Sequence, residues 1–182
     1  MLKPYLSVSL PAQNKTYKTK IMKKFLVVAM MAFGLAVNAQ EGQLNVGGTI
    51  GLPVGDADEA NVTGAIEANY LFDIAENFKV GPSVSYLHFQ QEGADAAFIP
   101  VSVAGRYSFA DKFSVGADLG YGIGVRPSGN TESGFYFRPI VGYQVTEKIN
   151  LHVDYTSVVL DTDYGNFTPA TIGIGGTYSF SL

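Results

Sequence analysis

Residues Thr171–Leu182 read Thr-Ile-Gly-Ile-Gly-Gly-Thr-Tyr-Ser-Phe-Ser-Leu, with Ile172, Ile174, Tyr178, Phe180 and Leu182 on one alternate set. Thr171, Gly173, Gly175, Thr177, Ser179 and Ser181 form the other. Successive side chains of a strand point to opposite faces, so this period of two predicts a strand with one apolar and one small polar face. The same alternation runs through Leu44–Leu52, Val62–Phe72, Phe78–His88, Ile99–Phe109, Phe113–Val125, Phe135–Val145 and Ile149–Ser157. Eight strands are therefore predicted, and no segment among them shows helical spacing.

A repeat supports the count. Tyr70-Leu-Phe72, Tyr107-Ser-Phe109, Tyr143-Gln-Val145 and Tyr178-Ser-Phe180 recur at a period fitting one hairpin per unit. Between units the connections are short and polar: Asp73 to Asn77, Ala110 to Lys112 and Thr146 to Lys148. Within units they are longer and rich in Gly, Pro, Asp and Asn: Pro53 to Asn61, Gln90 to Ala96, Arg126 to Ser133 and Val158 to Pro169. Short turns alternating with long loops, over an even strand number, are the signature of a barrel that spans an outer membrane.

The face compositions separate this from a water-soluble barrel. Gly, Ser, Ala, Thr and Asn dominate the polar face and suit a narrow interior better than a solvated exterior. The other face carries Leu, Val, Ile, Phe and Tyr, with Tyr70, Phe72, Phe78, Tyr107, Phe109, Phe113 and Tyr143 beside the short turns, as an interfacial aromatic girdle requires. Asp56, Asp58, Glu59, Glu92, Asp95, Glu132, Asp161, Asp163 and Arg126 fall in long loops. Asp73, Glu76, Asp111, Lys112, Glu147 and Lys148 fall in short turns. Glu41 lies at the new N-terminus, and the remaining charges, Glu67, Lys79, Arg106, Asp118, Arg138 and Asp154, all take the inward register. A lipid face penalises a central Arg or Lys by about 2–4 kcal/mol, which explains why none stands there. His88 is outward, near the long-loop rim.

The first part of the chain has a different character. Lys23 and Lys24 precede an apolar stretch from Phe25 to Val37 and then Asn38-Ala39-Gln40. That is the n-region, h-region and small-residue cleavage site of a secretory signal, predicting residues 22–39 as a signal peptide cut between Ala39 and Gln40. The stretch is shorter than the roughly 20 residues of a spanning helix. Residues 1–21 are polar and aperiodic, so Met22 is the expected start, with a long n-region as the alternative. The barrel domain is then 40–182. All sixteen acids but only six of the twelve Lys and Arg follow residue 39, a net charge of −10 that excludes nucleic-acid binding. There is no cysteine, so closure of the sheet rather than disulfides must hold an exported chain of this size.

These residues resemble the family of small eight-stranded outer-membrane β-barrels that includes OmpA-type and OmpX-type domains, often called porin-family or outer membrane protein β-barrel domains. The resemblance rests on the Lys23-Lys24 leader, the Tyr-x-Phe hairpin ends, Phe113-Ser-Val-Gly-Ala-Asp-Leu-Gly-Tyr-Gly-Ile-Gly124 and the closing Gly175–Leu182. It implies an all-β, antiparallel, up-and-down transmembrane barrel in the Gram-negative cell envelope, with periplasmic termini. It further implies outer-membrane lipid and lipopolysaccharide as surroundings, and the barrel-assembly machinery as a partner during biogenesis. That machinery reads a terminal strand ending in an aromatic residue. Here the corresponding signal is Tyr178, Phe180 and Leu182, with the aromatic two places before the end.

Counted from the short turns, Glu67, Asp118 and Asp154 are level, Arg138 two residues above and Arg106 two below. Three acids and three bases read as a self-neutralising polar core, because an unpaired buried charge costs several kcal/mol. A selective constriction is the alternative. No cofactor is expected. Gly120-Tyr-Gly-Ile-Gly124 superficially matches a dinucleotide loop, but its glycines follow the strand period. Asp161-Thr-Asp-Tyr-Gly-Asn166 and Asp56-Ala-Asp-Glu59 offer oxygens but lack the closing Glu of a calcium loop, so no metal site is assigned. His88 and His152 are the only imidazoles: His152 takes the inward register close to Asp154, and His88, near the outer rim, has Ser85 and Tyr86 close in sequence but no acid in the same register, so a structural or interfacial role is expected of both. The expectation is a non-enzymatic barrel presenting acidic extracellular loops, with a narrow channel as the alternative and a lipid-modifying enzyme a distant third.

Overall fold

The computed structural model describes residues 42–57, 60–91, 95–127, 132–162 and 165–181. Ala39, Gln40, Leu182, the 22–39 signal segment and the 1–21 stretch lie outside them. So do the loop acids Asp58, Glu59, Glu92 and Asp163.

The strands are β1 (Gly42–Gly55), β2 (Val62–Ala75), β3 (Phe78–Gln90), β4 (Ala96–Phe109), β5 (Phe113–Arg126), β6 (Gly134–Gln144), β7 (Ile149–Thr162), β8 (Gly165–Phe167) and β9 (Pro169–Ser181). Neighbours in sequence pair antiparallel from β1 to β7, β9 pairs with both β7 and β1, and the ring closes on eight strands. Closure leaves no open edge, so every barrel strand has a ladder on both sides.

The alternation expected from sequence orders the faces. Ile50 is 67 % and Ile174 61 % exposed, and both point outward with Val141, Leu151 and Val153. Asn45, Glu67, Ser83, Asp118, Arg138 and Thr171 take the opposite parity and are buried. Near the short turns the outward aromatics touch one another: Tyr70 on Phe72 at 4.8 Å, Phe113 on Tyr143 at 5.0 Å and Tyr178 on Phe180 at 4.8 Å between ring centroids. Tyr178 and Phe180 sit on the strand that closes the barrel.

Four details differ from the sequence reading. First, the sheet rises further toward the long loops than the alternation indicated. β1 reaches Gly55, and β7 continues to Thr162 and pairs with β8, where a loop was expected from Val158. Residues such as Asp161 and Asn166 have turn chemistry, but two adjoining extended segments satisfy their backbone groups by pairing. Second, Asp73 is not in a turn. It lies within β2, directly opposite Lys79 of β3. Third, Arg138 is the direct cross-strand partner of Asp118 rather than two residues above it, because strand stagger shifts levels counted from the turns. Fourth, the interior is not lined throughout by small residues.

Candidate functional site

The lumen has three levels. Toward the long loops it is filled by Leu87, Phe89, Phe98, Tyr136, Val158 and Leu160, each no more than 6 % exposed. Phe89 and Phe98 meet edge to face at 6.2 Å. Gly122 of β5 makes room for this plug: a Cβ there would lie 3.0 Å from Val158 Cγ1. Leu87, Tyr136 and Val158 share the parity of the inward polar residues, so the sequence carried a signal for the plug. Phe89, Phe98, Val158 and Leu160 lie beyond the strand ends assigned from sequence.

Below the plug lies a cluster of ionised groups contributed by five strands. Arg138 sits at its centre and donates to both Glu67 carboxylate oxygens at 2.7 and 2.9 Å. It also reaches Asp118 at 3.4 Å, Asp154 at 3.3 Å and the Nε2 of His152 at 3.1 Å. The planar guanidinium fits two carboxylate oxygens at once, which is why Arg rather than Lys suits this place. Arg106 binds the other oxygen of Asp118. Thr156 donates to Asp154 at 2.7 Å. Burial in a low-dielectric interior makes each link stronger and each unpaired charge costlier.

Of the six inward charges, Glu67, Arg106, Asp118, Arg138 and Asp154 thus meet in one network. Lys79 does not. It lies nearer the short turns, 3.3 Å from Asp73 and bonded to Gln43 at 3.0 Å. Its place in the cluster is taken by His152, which the sequence placed inward without assigning it a role.

The third level is a polar cavity of about 380 Å³ toward the short turns, with Glu67, Arg106 and His152 facing it from above. Asn45 and Asn69 bond each other at 2.8 Å on its wall, and Ser179 donates to Asn45 at 2.6 Å.

His88 is on the outward parity as expected, stacked on Tyr86 at 6.2 Å. The absence of a nearby acid read from its own strand is overturned. Asp95, from the following loop, lies 3.6 Å from its Nε2 and 3.7 Å from Arg126.

Residues 25–180 match the family model described as outer membrane protein beta-barrel domain. Among solved structures, the attachment invasion locus protein Ail of Yersinia pestis is similar at 13 % identity. The match covers 78 % of this chain and 99 % of Ail, with a TM-score of 0.54. A de novo designed transmembrane β-barrel is similar at 12 % identity, covering 76 % of this chain and 95 % of the design, with a TM-score of 0.50. At these identities the likeness is one of fold. No match was found among curated proteins. The closed eight-stranded ring, its apolar exterior and the family match over nearly the whole length lead to one conclusion: the chain belongs to the outer membrane protein β-barrel domain family, the small barrels of the bacterial outer membrane.

Proposed function

We propose that this protein is a closed, non-enzymatic barrel whose work is done by the surface it presents rather than by what passes through it. The observation that carries this reading is the double obstruction of the lumen, an apolar plug above a buried ion-pair network. Eight strands enclose little more than their own side chains, and here those side chains interlock. The signal of residues 22–39, cleaved between Ala39 and Gln40, accounts for export. The short turns are then periplasmic, as are both termini, and the acidic long loops face outward toward lipopolysaccharide. Tyr178, Phe180 and Leu182 serve as the signal read during assembly.

Planar-bilayer recording of the purified protein tests the closed state. No steady conductance is expected, and a steady current that changes when Arg138 is replaced would refute it. The polar cavity gives the channel alternative its one support, since only the levels above it close the path. Lipid chemistry is not expected. His152 is enclosed within the lumen, and His88 contacts Asp95 and the ring of Tyr86. Lipid A modification seen by mass spectrometry with the wild type and lost in His88→Asn would overturn that.

A further inference from the structure

The cluster around Arg138 holds three carboxylates, Glu67, Asp118 and Asp154, against two guanidiniums, Arg106 and Arg138. It is one negative charge out of balance while His152 is neutral, and balanced when His152 carries a second proton. Among these side-chain types, only imidazole ordinarily changes charge near physiological pH.

Its neighbours fix what that change does. His152 Nε2 lies 3.1 Å from Arg138 Nη2 and 3.0 Å from the hydroxyl of Thr49. A guanidinium only donates, so Nε2 must accept from Arg138 and the neutral ring carries its proton on Nδ1. Nδ1 is buried and has no hydrogen-bond partner. On the other side, Glu67 Oε1 and Asp154 Oδ1 each lie 3.7 Å from Nε2, too far for a good bond, and Asp154 Oδ1 has no hydrogen-bond partner either. β9 contributes no charge here but makes the space: a Cβ on Gly175 would lie 2.6 Å from His152 Nε2. His152 also faces the polar cavity toward the short turns, which gives water and protons a way in.

We propose that His152 is a proton-operated latch on Arg138. The neutral ring accepts a bond from Arg138. Taking up a proton turns Nε2 into a donor, which cannot face another donor. The ring then releases Arg138 Nη2 and donates to Asp154 Oδ1 or Glu67 Oε1, while Arg138 keeps its forked bond to Glu67. The barrel thereby registers acidification on the cavity side as a change of partners in its centre.

Nitrogen NMR of the full chain in lipid bicelles, titrated from neutral to acid pH, tests this. His152→Asn assigns the signals, since His88 is the only other histidine. The expected result at neutral pH is a His152 ring protonated on Nδ1 with Nε2 free. On acidification Nε2 moves into the protonated range, and the Arg138 side-chain signals shift with the same midpoint. In His152→Asn the Arg138 signals stay constant over that range. A neutral ring protonated on Nε2, a His152 that never takes up a proton in the folded barrel, or an Arg138 indifferent to its protonation would each overturn the latch. His88→Asn, altered at the rim, is expected to leave the Arg138 shift unchanged.

Discussion

Replacing Arg138 with methionine keeps roughly the volume of the side chain and removes the one charge that touches three carboxylates. Glu67, Asp118 and Asp154 have side chains no more than 2 % exposed, so none can turn to water for compensation. Arg106 reaches only Asp118 among them. Removing one partner of a buried pair costs about 3–5 kcal/mol, because the remaining charge is left uncompensated. Glu67→Gln is a milder change. It removes an acid from a cluster that has one too many, and its amide oxygen still accepts from Arg138. Its cost is that of a weakened charged hydrogen bond, about 1–3 kcal/mol. In the double variant Arg138 is no longer there to lose, so the two costs do not add. A coupling of about 0.5–3 kcal/mol is expected from groups sharing one network. Urea unfolding in lipid vesicles gives the free energies by linear extrapolation, with gel mobility without heating as the measure of folded barrel. An Arg138→Met variant within about 1 kcal/mol of wild type, or strictly additive costs, would refute the claim that the guanidinium organises the lumen.

Val153→Arg places a charge on the outward face at the level of Ile174 and is expected to cost about 2–4 kcal/mol, whereas Val145→Arg, beside a short turn, costs about 0–1 kcal/mol; equal costs in vesicle unfolding would contradict the membrane placement. Phe98→Ala opens a hole in the plug and is expected to cost about 3–5 kcal/mol in the same assay; an unchanged unfolding midpoint would show the plug to be loosely packed. Gly175→Ala forces a methyl against His152, so a lowered urea midpoint and displaced His152 NMR signals are expected, and wild-type values for both would contradict the packing described.

The eight strands and their two faces were readable because lipid and lumen make opposite demands on alternate residues. Ile172, Ile174 and Tyr178 could not exchange places with Gly173, Gly175 and Thr177 without putting apolar bulk inside and gaps outside. The strand ends toward the loops were less readable. Beyond the hydrocarbon layer that demand lapses, so Asp161 and Asn166 look like loop residues while their backbones still pair. Heights inside the lumen were not readable either. Counting from the turns treats the strands as level, yet barrel closure staggers them, and that stagger sets Asp118 beside Arg138 while leaving Lys79 to pair with Asp73. His152 was seen as inward, but its role needs four other strands to be brought around it.

The vertical order of the lumen gives its parts separable tasks. The apolar plug contributes packing and excludes water but carries no charge, whereas the network beneath it ties five strands together through two guanidiniums and also stands in the path of ions. A variant that loosens the plug, such as Phe98→Ala, therefore leaves a second barrier in place and should stay closed in bilayer recordings despite its lost stability. Arg138→Ala removes the organising charge and its bulk but leaves the plug above it, and it too should remain closed. Only Phe98→Ala combined with Arg138→Ala opens a continuous path from the cavity to the long loops. Conductance in either single variant would mean that one level alone seals the barrel and that the other is there for the fold. Conductance in the double variant alone would show two seals in series, which is the arrangement expected of a barrel whose interior is built to stay shut.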